Sequence, residues 1–173
     1  DLAGGIGDFQ VRNRGTIGGS LANNDPSACY PSAVLALGGS ITTNKRSISA
    51  DDYFQGMFTT ALATDELITE VSFPIPAKAA YVKFKNPASR YAMVGVFVAN
   101  GPKGVRVAVT GAGQGGVFRH TAAEAALGKS WAAASLDGVS IGTDNMNSDI
   151  HASAPYRAHL VGVVTKRAVV AAG

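Results

Sequence analysis

Apolar and polar positions fall into blocks with two different periods. Leu67 to Phe73 roughly alternates apolar and polar, as a half-buried strand does. Ala80–Lys85, Met93–Ala99 and Val105–Thr110 are three further strand candidates. Asn100-Gly101-Pro102-Lys103-Gly104 separates the last two as a hairpin turn would. Thr121–Leu127 follows, with Thr121 and Glu124 spaced as a capping box, and then Ser130–Leu136. Behind Ser153-Ala154-Pro155, the positions Tyr156, Leu160, Val163, Val164 and Val170 keep a helical spacing and predict a last helix to about Ala171. Strands followed by helices predict an α+β class, not alternating β-α units.

The first part of the chain is less regular. Arg12 to Asn24 is rich in Gly, Asn, Thr and Ser and reads as a loop. Asp25-Pro26 reads as an N-cap with proline at the first helical position, opening a helix to about Leu37 that stops at Gly38-Gly39. Ile41–Thr43 is β-like, and Ser49 with Asp52 resembles a capping box for a brief helix through Phe54. Phe73-Pro74-Ile75-Pro76 is held extended by its prolines and reads as a boundary, giving units 1–76 and 77–173.

Composition narrows the function classes. Charged residues are 16% and hydrophobic ones 46% of the 173 residues, which excludes a disordered chain. A net charge of +3 is weak for nucleic acid, which needs a clustered basic face. The single cysteine excludes a disulfide framework and any Cys-rich zinc or iron–sulfur site. No apolar run approaches the roughly 20 residues of a membrane span. The opening Asp1-Leu2-Ala3-Gly4-Gly5 is not a signal peptide, and with the lone Cys29 it predicts a cytoplasmic protein.

Candidate chemistry is sparse. His120, His151 and His159 are scattered without acidic partners, so neither a general acid/base pair nor a metal site is predicted. Cys29 reads as a small apolar residue near a helix start. Gly111-Ala112-Gly113-Gln114-Gly115-Gly116 satisfies G-x-G-x-x-G behind a strand, the pattern of a nicotinamide-dinucleotide site. Its context fails, because Val117-Phe118-Arg119-His120 separates the glycines from the next helix, whose N-terminus would have to face the pyrophosphate. The second glycine motif runs from Arg12 to Pro26. Gly15, Gly18 and Gly19 permit close backbone approach, Thr16 and Ser20 add hydroxyls, and Asp25 is an acceptor for a ligand hydroxyl. Such a segment suits a pyrophosphate; a plain structural loop is the competing reading.

The run Gln10-Val11-Arg12-Asn13-Arg14-Gly15-Thr16-Ile17-Gly18-Gly19-Ser20-Leu21-Ala22, then Asp25-Pro26, resembles the medium, flavin-binding subunits of the molybdenum hydroxylases. Asp65–Val71, Phe84–Ala92 with its Lys-x-x-x-Ser-Arg spacing, and Ser153–Arg157 extend the resemblance over most of the chain. The resemblance implies FAD as cofactor, with Thr16, Ile17, Gly18, Gly19 and Ser20 at the pyrophosphate. It also implies Asp25 near the ribityl or phosphate groups, and Ile68 and Lys85 beside the flavin ring. For the fold it implies a remnant of the second FAD-binding subdomain, then a three-stranded antiparallel sheet with a three-helix bundle. For function it implies an oxidoreductase subunit with no catalytic residue of its own, which passes electrons from iron–sulfur clusters through FAD to an external acceptor. Its implied partners are a molybdenum-binding large subunit and an iron–sulfur small subunit, and a homodimer is a further expectation. The family's preceding subdomain is absent from this sequence, and Cys29 stands where many relatives carry an acidic residue. A cofactor-free fragment serving as an interaction or self-association module is therefore the alternative.

Overall fold

The computed structural model describes residues 1–173. A short 3-10 turn (Ala3–Gly5) leads into helices α1 (Phe9–Arg14), α2 (Ile17–Asn23) and α3 (Tyr30–Ala36). Strands β1 (Ser40–Thr43) and β2 (Ser47–Ser49), helix α4 (Ala50–Tyr53) and the small hairpin β3 (Phe54–Gly56) and β4 (Thr59–Thr60) follow. Strand β5 (Ile68–Ser72) pairs antiparallel with β1 in the order β2-β1-β5. Then come β6 (Lys78–Lys85), β7 (Ala92–Gly101), β8 (Gly104–Thr110) and β9 (Phe118–Arg119), an antiparallel sheet in that order. Helix α5 (Thr121–Lys129), a 3-10 turn (Ala133–Leu136) and α6 (Ala154–Ala172) complete the chain.

The expected mixture of antiparallel sheet and helix is present, and the main sheet gains β9 as a short fourth strand. Both of its faces are covered, which explains why β7 reads as a nearly unbroken apolar run. Val94, Val96, Val98, Val107 and Val109 pack on one face with Leu127, Leu160, Val161 and Val164 of α5 and α6. The intervening Phe97, Ala99 and Ala108 pack on the other face with Leu21, Val34, Leu35 and Ile41. Alternate residues of one sheet thus belong to two different cores, as the two-residue strand period requires. Arg157 of α6, 4% exposed, fastens that helix beneath the sheet. Its Nη1 donates to the Met93 and Gly111 carbonyls at 2.7 and 3.1 Å, and its Nη2 to Asp149 at 2.7 Å.

Four local expectations change. Arg12–Asn24 is not a loop but mostly helix. Asp8 caps α1 by accepting from Gln10 N–H at 2.6 Å, and Thr16 caps α2 by accepting from Gly19 N–H at 3.0 Å. Glycine in a helix costs about 1 kcal/mol per residue relative to alanine, so composition argued against α2. Its tertiary anchor is Leu21, fully buried in the core with Val34, Leu35 and Phe97, and Asn24 ends it in the left-handed region at φ 46°. Asp25-Pro26 opens a turn and not a helix: Asp25 accepts from Ser27 N–H at 2.7 Å, and α3 begins only at Tyr30, with Pro31 in its first turn. Its end at Gly38-Gly39 is as expected, with Gly38 at φ 62° and Gly39 N–H donating to the Val34 carbonyl at 2.9 Å.

The Thr121–Glu124 capping box does not form, because tertiary partners claim the glutamate. Glu124 accepts from Val107 N–H at 2.9 Å and from Arg119 Nε and Nη2 at 2.8 and 2.6 Å. Ser130–Leu136 shortens to the 3-10 turn at Ala133–Leu136. The Gly111–Gly116 segment is a turn after an antiparallel strand, bridged at Gly113 to Met146, so the failed context of that motif holds in three dimensions.

Candidate functional site

A cleft of about 700 Å³ lies between the N-terminal turn, α1, α2, the 25–30 turn and the edge of the main sheet. Two close approaches shape it. A Cβ on Gly15 would stand 2.6 Å from the Val11 carbonyl oxygen, so only glycine lets the chain turn from α1 into α2 there. A Cβ on Gly7 would stand 2.9 Å from the Arg90 backbone, where the N-terminal turn touches the loop after β6.

Charge in the cleft is one-sided. Its walls carry Arg12, Arg14 and Lys83 against the single carboxylate of Asp25. Arg12 donates to the Ile6 carbonyl and lies 5.0 Å from the Phe9 ring centroid, so its guanidinium is held rather than free. Tyr91, 46% exposed, presents an aromatic ring to the same space. This arrangement suits an elongated anion with an aromatic portion. No group of three or more His, Cys, Asp or Glu side chains is arranged to hold a metal ion, and no helix is long and apolar enough to cross a membrane.

Thr16, Gly19, Ser20 and Asp25 line the cleft together. Ile17 and Ile68 instead pack against the core formed by Leu21, Val34, Leu35 and Ile41. A Cβ on Gly18 would face Ile68 at 3.7 Å, so Gly18 lies on the side of α2 turned toward β5. Lys85 is exposed at the end of β6 and does not line the cleft, whereas Lys83 does. Arg12 and Arg14 were visible ahead of Gly15 in the sequence. Lys83 and Tyr91 had no signal separating them from any strand lysine or loop tyrosine.

Cys29 lies in the cleft wall, 6% exposed, and Lys83 Nζ donates to its Sγ at 3.4 Å. Beside them, burial pushes the Tyr81 phenol up, and the nearby Cys29 sulfur adds to that shift.

Residues 1–76 match the family described as the FAD binding domain in molybdopterin dehydrogenase. The chain is 38% identical to the nicotine 6-hydroxylase medium subunit of Paenarthrobacter nicotinovorans, over 95% of this chain and 62% of that protein. It is 30% identical to the carbon monoxide dehydrogenase medium chain of Afipia carboxidovorans, over 95% of this chain and 62% of that protein. Among solved structures, reconstituted CO dehydrogenase from Oligotropha carboxidovorans superposes with a TM-score of 0.83 at 29% identity, covering 96% of this chain and 64% of that one. The chain therefore spans about six-tenths of the length of the relatives it matches. The first 76 residues thus match a flavin-binding domain, and nearly the whole chain is similar in sequence and fold to the medium subunits or chains of these dehydrogenases.

Proposed function

We propose that the cleft receives FAD and that the chain serves electron transfer within a molybdenum hydroxylase. The observation that carries this reading is the cleft itself. Its volume of about 700 Å³ lies within the range of roughly 300–1,000 Å³ typical of cofactor sites, and its three cations face one carboxylate. These residues fit a pyrophosphate-bearing flavin. Thr16, Gly19 and Ser20 would approach the pyrophosphate and Asp25 a ligand hydroxyl. Ile17, Gly18 and Ile68 would support the α2 backbone from behind. The proposed division of the chain is 1–76 and 77–173, supported by the two cores on opposite faces of the main sheet.

A bound flavin supplies redox chemistry that no side chain here possesses, while the chain supplies position and electrostatics. The relatives are named as medium subunits or chains, which supports a complex with a molybdenum-binding large subunit and an iron–sulfur small subunit. In that complex electrons would pass from iron–sulfur clusters through the flavin to an external acceptor.

The direct test is titration of the purified chain with FAD, followed by quenching of flavin fluorescence. Gly19→Val is the matching variant, since its Cβ would already stand 3.1 Å from Thr16 Oγ1 before its methyls are added. The expected result is saturable binding, weakened at least tenfold by Gly19→Val with the fold retained by circular dichroism. Absence of binding would favour a subunit-interaction module instead.

A further inference from the structure

A second, smaller pocket adjoins the cleft and meets it at Ser27 and Tyr91, which line both. Its volume is about 200 Å³. That is well above one water, ~30 Å³, and below the roughly 300–1,000 Å³ of cofactor sites, so it suits a small occupant. Segments far apart in sequence build it: the loop between β6 and β7, the 147–151 segment and the first turn of α6.

Arg157 is the buried charge of this pocket, 4% exposed. Its Nη1 is taken by the Met93 and Gly111 carbonyls and one N–H of Nη2 by Asp149. Its Nε–H is buried and meets no acceptor in the protein. Leaving a donor of a charged group unpaired costs more than leaving a neutral one. Asp149 is already engaged: Oδ1 accepts from the His151 and Ala152 amides and Oδ2 from Arg157. Its side chain is also 44% exposed, so solvent screens the carboxylate far more than the buried guanidinium. The positive charge therefore dominates inside the pocket. The remaining lining adds donors. Asn86, 9% exposed, spends Oδ1 on the Ala88 and Ser89 amides at 2.9 and 3.2 Å and leaves Nδ2 without a protein partner. The Ser27 hydroxyl and the His151 ring line the same space.

We propose that this pocket binds a small oxyanion, a carboxylate or a phosphate, through the spare guanidinium donors of Arg157 with Asn86 and Ser27. Charge-assisted hydrogen bonds to a guanidinium are the strong ones, and an oxyanion supplies acceptors that the protein does not. The bound anion ties the 86–91 loop to α6. The site is separate from the flavin reading and stands without it.

The purified chain is titrated with inorganic phosphate, with sodium acetate and, as an ionic control, with sodium chloride. The Arg157 Nε–H resonance is followed by NMR and the melting temperature is recorded. The expected result is a saturable shift of that resonance at millimolar phosphate or acetate. The melting temperature rises with it by about 3–5 °C at ten times Kd, and chloride does neither. The tighter of the two oxyanions identifies the ligand as tetrahedral or planar. Asn86→Asp keeps the acceptor that the loop uses and sets a negative charge against the ligand. It is expected to bind at least tenfold more weakly with an unchanged circular dichroism spectrum. An Arg157 resonance unmoved by either oxyanion, an equal response to chloride, or undiminished affinity in Asn86→Asp overturns the site. None of these results alters the FAD titration, so the two readings fail separately.

Discussion

Tyr81 shows how finely single residues are balanced here. Its hydroxyl is buried and meets no hydrogen-bond partner. Room for it exists because residue 95 is glycine; a Cβ there would stand 2.5 Å from the phenol oxygen and 2.8 Å from Thr110 Cγ2. An unpaired buried polar group costs about 1–3 kcal/mol. Tyr81→Phe is therefore expected to raise stability by about 1 kcal/mol in urea denaturation, and a loss of that size would show the hydroxyl to be paired. Gly95→Ala should lower stability by about 1–3 kcal/mol through overpacking. Glu66 is the pH-sensitive counterpart. Its carboxylate accepts from Arg46 Nε and Nη2 at 2.8 and 3.0 Å, from Ala63 N–H at 2.8 Å and from Thr43 Oγ1 at 3.2 Å. Arg46 foremost, with the Ala63 amide, holds its pKa well below the ordinary 4.5, at about 2. A depressed folded-state pKa gives stability that is present above the ordinary value and lost as pH falls from there toward about 2. Melting temperatures compared between pH 6 and pH 2 should show wild type losing its advantage over Glu66→Gln; a constant gap would refute the linkage.

Among elements, the β3–β4 hairpin depends on one side chain that no local rule identifies. Asn24 Nδ2 donates to the Gly56 and Thr59 carbonyls at 2.7 and 2.9 Å, and its own carbonyl accepts from Phe58 N–H at 3.2 Å. It thus ends α2 and closes the hairpin turn, while Phe58 is held at φ 54°. Asn24→Ala should cost about 1–3 kcal/mol, because the Gly56 and Thr59 carbonyls lose the donor of a buried side chain and the left-handed backbone loses a favoured residue. Amide exchange in residues 54–60 should accelerate with it. Other elements needed no such remote partner. Ser49 accepts from Asp52 N–H at 3.3 Å at the start of α4, and Ser153 from Tyr156 N–H at 3.4 Å at the start of α6. Both caps were legible because the residues that make them lie within three positions of each other. The Thr121–Glu124 pair had the same spacing and failed, since Glu124 found stronger donors in β8 and β9. Spacing identifies a possible cap; the charges around it decide whether it forms.

For the whole molecule, the main sheet is a shared wall and not the property of either half. Charged contacts reinforce the junction. Arg106, 5% exposed on β8, donates Nε to the Leu35 carbonyl at 2.9 Å and Nη2 to Asp51 of α4 at 2.5 Å, and Arg119 of β9 reaches the same carboxylate at 3.5 Å. Partial burial works to raise the Asp51 pKa, but Arg106 and Arg119 outweigh it and hold the carboxyl below its ordinary range. Its contribution is therefore present at neutral pH and lost in acid. Asp51→Asn should lower stability by about 1 kcal/mol, the half-exposed carboxylate being screened by solvent. Because the halves share the wall, urea unfolding should be a single transition at both near-ultraviolet and far-ultraviolet wavelengths. Two separated transitions would mean that the cores unfold independently.

The sequence by itself determined the class of fold, the strands β5 to β8, the hairpin at residues 100–104, the terminal helix and the resemblance to flavin-binding medium subunits. These are local or motif-borne: strand alternation, turn glycines and caps act over a few residues, and the Arg12–Pro26 run is read in one stretch. Tertiary structure alone decided that Gly18 and Gly19 lie in a helix, because burial of Leu21 offsets what glycine costs there. It also decided which lysine of β6 faces the cleft. One residue of register moves a side chain to the opposite face of a sheet, and the shift after Phe84 arises from pairing with β7, a partner that the residues of β6 do not specify.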